Sequence, residues 1–303
     1  MQITIIPAST RVGTDTIRYL LASPESPTVI GYYRKLSKVP EEFSSNPNFI
    51  AKQGDVEDAS SLDFSSSDAV LSITPIWHDG RDVVEVAKQV SHNVRDRLVE
   101  TGTSVKKLVI LSSLGAQYTE GTGAIATNHA AEQILGSTPN IPQILIVRPV
   151  YFMENWITAL ETLNSDPPFF YSTFTPSTLR IPHIAIKDIA LSLSRNLLST
   201  TPLPGPSPHA LELHGPTYSV EDVQAVFSKV LGKEVRVEEI PKEAVEGFYK
   251  AVFSEGDVAK YYADMNNAIL EGGKLHENPE PTGDVRLEGE TGLEEVVRGW
   301  FGV

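Results

Sequence analysis

The first half of the chain alternates short apolar runs with amphipathic stretches, the signature of strand–helix–strand units around a parallel sheet. Ile3 to Ile6 predicts a first strand and Thr14 to Leu21 a helix. Thr28 to Tyr33, Asn48 to Ala51 and Asp68 to Thr74 predict three more strands. Val83, Val86, Ala87, Val90, Val94 and Leu98 recur at steps of three and four, one apolar face of a long helix. Lys107 to Leu111 predicts a fifth strand, Thr127 to Leu135 a short helix and Gln143 to Val147 a sixth strand. Strand–helix–strand crossovers are right-handed, so this order predicts an α/β fold with a doubly wound parallel Rossmann sheet.

Beyond about residue 155 the pattern changes. Pro167-Pro168 and the cluster Phe169, Phe170, Tyr171 and Phe174 interrupt it, and Thr201 to Pro208 carries four prolines in eight residues. Ser219, with Asp222 three positions on, marks a helix start. Val235 to Ile240 alternates as a strand, Gly247 to Leu270 has helical spacing, and Leu293 to Phe301 closes the chain on Val296, Val297, Trp300 and Phe301. The expected division is a Rossmann domain over 1–155 and a smaller C-terminal α/β lobe, for substrate or partner, over 156–303.

Composition narrows the chemistry. The 303 residues carry 25 Lys+Arg against 39 Asp+Glu, a net charge of −14, which disfavours a nucleic-acid surface. The absence of cysteine excludes disulfides, thiolate nucleophiles and cysteine-ligated metals. No run approaches the ~20 apolar residues of a membrane helix, and the chain opens on a strand, so the expectation is a soluble cytoplasmic protein. Neither His-x-His, His-Glu-x-x-His nor Gly-x-Ser-x-Gly occurs, which leaves no metal site and no hydrolase elbow to expect.

A dinucleotide site needs a strand, a glycine-rich turn and a helix start on which the pyrophosphate rests. The context is present, but at the GxxGxxG spacing stand Pro7, Thr10 and Gly13. Only the third position keeps its glycine. In one reading Ser9, Thr10 and Arg11 replace lost backbone contacts with hydroxyl and guanidinium donors. In the other, the turn is inherited and no longer binds a nucleotide. Tyr32-Tyr33-Arg34-Lys35 ends the second strand with two bases and no acid, which favours NADP(H) over NAD(H), unless both charges are merely solvated. Asp55, after the third strand, is placed to contact adenine or to cap a turn.

Several segments together resemble the NmrA-like family of atypical short-chain dehydrogenases. They are Gly54-Asp55-Val56-Glu57-Asp58, Leu111-Ser112-Ser113-Leu114-Gly115-Ala116-Gln117, Arg148-Pro149-Val150-Tyr151-Phe152-Met153-Glu154-Asn155-Trp156 and Ile181-Pro182-His183-Ile184-Ala185-Ile186-Lys187-Asp188-Ile189-Ala190. The resemblance implies a Rossmann fold with a small lobe, a return of 181–200 into the Rossmann core, and NADP(H) binding. It does not imply one activity, since relatives include redox-sensing regulators and reductases, some of them in fungal secondary-metabolite pathways. It also implies a contact to the nicotinamide ribose at position 128, where many members have lysine and this chain has Asn128.

Of the ten tyrosines none has lysine four residues on, so the usual Tyr-x-x-x-Lys pair is missing. Ligands sit at the carboxyl ends of parallel strands, which nominates Ser112, Ser113, Tyr118, Asn128, His129 and Tyr151. Histidine is the side-chain type suited to proton transfer near neutral pH, so His129, with Tyr118 and Tyr151, is a candidate acid or base; a histidine merely bonded beside its helix is the plainer alternative. Ser112 is a candidate cofactor contact or a strand cap, and Glu132 an ion-pair residue. The reading is an NADP(H)-dependent oxidoreductase acting on an apolar, aromatic or polyketide-type small molecule. The alternatives are a cofactor-independent isomerase, cyclase or dehydratase in the same cleft, and a non-catalytic NADP sensor.

Overall fold

The computed structural model describes residues 1–253, 256–277 and 283–302. Its elements in chain order are β1 (Gln2–Ile6), α1 (Arg11–Leu21), β2 (Thr28–Tyr33), α2 (Glu41–Ser44), β3 (Phe49–Gln53), β4 (Ala69–Ile73), α3 (Val83–Thr101), β5 (Lys107–Leu111), α4 (Ala126–Leu135), β6 (Gln143–Pro149), β7 (Tyr151–Phe152), α5 (Leu160–Leu163), β8 (Phe169–Ser172), β9 (Ile181–Ile184), α6 (Ile186–Leu198), β10 (His209–His214), β11 (Thr217–Tyr218), α7 (Val220–Leu231), β12 (Arg236–Glu239), α8 (Val245–Val252), α9 (Val258–Ile269), α10 (Lys274–Glu277), β13 (Val285–Glu288) and α11 (Leu293–Phe301).

The main sheet has eight strands in the order β13-β10-β6-β5-β4-β1-β2-β3, every neighbouring pair parallel. Helices cover both faces, so the central strands are apolar runs buried on both sides. Ile3, Ile5, Leu71, Val109 and Val147 pack under α1 and α6, while Ile6, Val70, Leu108, Ile110 and Ile146 pack under α3 and α4. The apolar face expected of α3 is the buried one, and Asp82 caps that helix by accepting from the Val84 and Glu85 N–H groups. Buried Lys107 donates to the carbonyls of Asn196 and Ser199, closing the carboxyl end of α6.

A third core joins Met153, Trp156, Phe170, Phe174, Val223, Phe227 and Val297. It is framed by a three-stranded sheet β11-β9-β7 and the pair β12-β8. The expected capping box of α7 is present, Ser219 and Asp222 each bonding the other's backbone N–H.

Three features differ from the sequence reading. First, α1 begins at Arg11 rather than Thr14, because Thr10 caps it. Second, β10 and β13 extend the main sheet, so the segment 156–303 contributes two strands to the Rossmann portion. Third, the helix expected over 247–270 is two helices: Gly256 has φ +68, a left-handed conformation that ends helical continuity. Residues 254 and 255 of that expectation lie outside the described residues.

Candidate functional site

The turn between β1 and α1 is tied to β2 by a hydrogen bond from Ala8 N–H to the Tyr32 carbonyl at 2.9 Å. Thr10 is the N-cap: its Oγ1 accepts from Gly13 N–H at 3.0 Å. A Cβ on Gly13 would stand 2.8 Å from that Oγ1 and 3.0 Å from the Pro7 carbonyl oxygen. The Thr10 side chain is therefore folded into the turn, in space that Gly13 leaves, and not outward where a phosphate would approach. A helix start has unpaired donors; here Gly13 N–H is taken, and those of Arg11 and Val12 remain. Ser9 and Arg11 are exposed beside them.

Arg11 reaches across the groove, its Nη1 donating to the Glu154 carbonyl at 3.5 Å. The Glu154 carboxylate accepts Ile186 N–H at 2.9 and 3.0 Å, capping α6. Burial raises its pKa above the ordinary carboxylate value. Glu154 thus joins the starts of α1 and α6, a role the sequence could not show because Ile186 lies 32 residues away.

At the end of β2 the Tyr33 ring is fully buried, its hydroxyl without a hydrogen-bond partner, and burial pushes its pKa up to about 12. Arg34 and Lys35 follow, both exposed, and no carboxylate of the described residues lies within 4 Å of either charge. Asp55 is half-buried; its Oδ1 accepts Glu57 N–H at 3.1 Å and its own N–H donates to Ser61 Oγ at 2.9 Å, so it closes a turn.

The other candidates gather at the ends of β5 and β6. His129, on α4, reaches the loop that carries Tyr118: its Nδ1 lies 2.8 Å from the Ala116 carbonyl, which can only accept, so Nδ1 carries the proton and, in the neutral ring, Nε2 the lone pair. Asn128 is half-buried beside it on α4. Tyr151 bonds Asn155, and burial raises its pKa far above that of a free phenol. It remains a neutral hydroxyl and is unsuited to act as a base.

Ser112 departs from the expected cofactor contact. It is buried, and its Oγ donates to Glu132 Oε1 at 2.5 Å. Arg148 grips the same carboxylate through Nε at 2.8 Å and Nη2 at 2.6 Å. Side chains alternate along a strand, and at this step Ser112 faces α4 rather than the cleft. Glu132 is the ion-pair residue its type suggested.

The C-terminal lobe packs against loops of the Rossmann portion. His78 stacks on Phe253 at 4.9 Å and hydrogen-bonds Tyr262 Oη at 3.2 Å. Gly123 lets the α9 backbone approach: a Cβ there would lie 2.2 Å from both Tyr261 O and Met265 N. Beneath Tyr151, His183 accepts from Trp156 Nε1–H at 3.1 Å and donates from Nδ1 to the Ile181 carbonyl at 2.9 Å. Burial lowers its pKa to about 4. Among the described residues no cluster of three metal-ligating side chains occurs, and no helix is long and apolar enough to cross a membrane.

No protein-family model matches the chain, and no curated protein matches it by sequence. Solved structures do. A triphenylmethane reductase from Citrobacter sp. is 17% identical, with TM-score 0.76 over 100% of both chains. An NADPH-dependent quinone oxidoreductase from Escherichia coli, solved with NADPH, is 18% identical, with TM-score 0.70 over 99% of this chain and 100% of that one. A nucleoside-diphosphate-sugar epimerase from Staphylococcus aureus is 19% identical, with TM-score 0.68 over 88% and 90%. At such identities the likeness is one of fold alone, a Rossmann-type parallel sheet with helices on both faces.

Proposed function

We propose that the chain is an NADP(H)-dependent oxidoreductase acting on an apolar, aromatic small molecule. The observation that carries this is the pair Arg34 and Lys35, at the end of β2 and next to the start of α1, with no carboxylate of the described residues within 4 Å of either charge. The residues present suit the cofactor. Arg11 and Val12 N–H groups, with Ser9 and the Arg11 guanidinium, would hold the pyrophosphate, and Arg34 the 2′-phosphate. Asp55 and Asn128 would flank the adenine and nicotinamide ends. When bound, NADPH supplies the hydride.

The chain's own part is orientation and proton handling. His129, its tautomer set by Ala116, presents Nε2 as the proton acceptor, while Tyr118 and neutral Tyr151 are hydroxyl donors to a substrate carbonyl. The apolar substrate is supported by the aromatic surroundings of Tyr151, namely Trp156 and Phe174 at 6.1 and 5.2 Å. Titration with NADPH and NADH tests the reading. Preference for NADPH should be about 1–3 kcal/mol and should vanish in Arg34→Ala. Equal affinities in the unaltered chain would refute it.

A second reading, proton-transfer catalysis without cofactor by His129, Tyr118 or Tyr151, is favoured by one fact: Thr10 takes the Gly13 N–H that a phosphate would otherwise use. Failure to bind either nucleotide, with turnover retained, would select it.

A further inference from the structure

The lobe brings a cation to the loop that carries Tyr118. Lys274 Nζ stands 5.1 Å from the centre of the Tyr118 ring. Its place is held by packing. Gly115, at φ +95, has no side chain, and a Cβ there would lie 2.8 Å from Leu275 Cδ2, so α10 rests directly on the loop. Immediately before α10, Gly273 N–H donates to the Leu270 carbonyl at 2.8 Å and fixes the entry into the helix. The same loop is gripped from the opposite side by His129 through the Ala116 carbonyl.

Lys274 is one of several lysines, with Lys35, Lys38, Lys106, Lys107, Lys233 and Lys242, that pair with no carboxylate among the described residues, and it is set apart by its seat on the Tyr118 ring. Lys88, Lys187, Lys229, Lys250 and Lys260 each pair with a carboxylate, as expected in a chain of net charge −14. Among the described residues no carboxylate lies within 4 Å of Lys274 Nζ. A lysine left unpaired by an acidic chain, and seated on the aromatic face of a candidate site residue, keeps its charge available to a ligand.

We propose that Lys274 is a specificity-determining residue of this cleft, selecting ligands with a negatively charged group beside an aromatic ring over their neutral counterparts. The inference rests on the reading of this cleft as the ligand site. It adds the charge of the ligand and the residue that reads it. Its place in the C-terminal lobe means that α10 must be docked on the Gly115 loop for the selection to operate.

Benzoate and benzamide, alike in shape and different in charge, test it by calorimetry on the full chain, with and without saturating NADPH. The unaltered protein should prefer benzoate by about 2- to 5-fold, the range of an exposed charge contact. Lys274→Met should lose that preference with benzamide binding unchanged, and Lys274→Arg should keep it. Lys260→Met, an equal loss of charge on α9 outside the cleft, should also keep it. The proposal is overturned if the unaltered protein takes neither probe or shows no preference. It is equally overturned if Lys274→Met retains the preference or Lys260→Met loses as much. NADPH titration of the same proteins separates the two levels: absent NADPH binding counts against the oxidoreductase, whereas normal NADPH binding without probe preference counts against Lys274 alone.

Discussion

Thr10 and Gly13 fit together as side chain and missing side chain: the Thr10 Oγ1 lies 2.8 Å from where a Gly13 Cβ would stand, too close for one, and caps the Gly13 N–H. One consequence concerns affinity. Thr10→Gly should free that donor for phosphate and strengthen NADPH binding, while glycine, itself an acceptable N-cap, costs only a few tenths of a kcal/mol in stability. Calorimetry on the variant decides the matter. Weaker binding would mean that the threonine is itself a phosphate ligand.

Ser112 and Glu132 separate structural from ligand roles. Glu132→Gln removes the carboxylate charge that the buried Arg148 guanidinium grips through Nε and Nη2 and should cost about 2 kcal/mol in urea unfolding. Ser112→Ala removes one hydrogen bond, about 1 kcal/mol, and should leave NADPH affinity unchanged because the hydroxyl faces α4. A tenfold loss of NADPH affinity in Ser112→Ala would restore the serine to the cofactor site.

His129 is tested through rate and stability together. A general base is worth roughly 10²–10⁴ in rate. His129→Gln should lower turnover by that order with little change in melting temperature, once a substrate is found. A variant that melts earlier but turns over normally would make the residue a brace for the Ala116 loop.

His183 links stability to pH. Its folded pKa, about 4, is depressed below the unfolded value of about 6.5 by burial. The unfolded chain therefore binds the proton first. The contribution is fully present above about pH 6.5 and is lost progressively as pH falls towards 4, on the order of 3 kcal/mol in all. Urea unfolding at steps through this window should show the decline, and His183→Gln should flatten it. An unchanged slope in the variant would assign the decline to other groups.

The sequence by itself determined what depends on neighbours along the chain. The order of strands and helices, the apolar face of α3, the Ser219–Asp222 capping box and the retained Gly13 all follow from periodicity and local backbone chemistry, which act over a few residues. It under-read β10 and the edge strand β13, His-Ala-Leu-Glu-Leu-His and Val-Arg-Leu-Glu, because short strands of mixed polarity carry little apolar signal. It also carried helical spacing through Gly256, whose left-handed backbone is a single-residue event. Only the tertiary structure decided who meets whom: Thr10 turned into its turn, Ser112 turned to Glu132 and Arg148, Arg11 reaching Glu154, Lys274 laid on Tyr118. Periodicity says which side of an element is buried. Which side chain stands opposite is set by how elements distant in sequence pack, and the chemistry of the candidate site depends on those pairings.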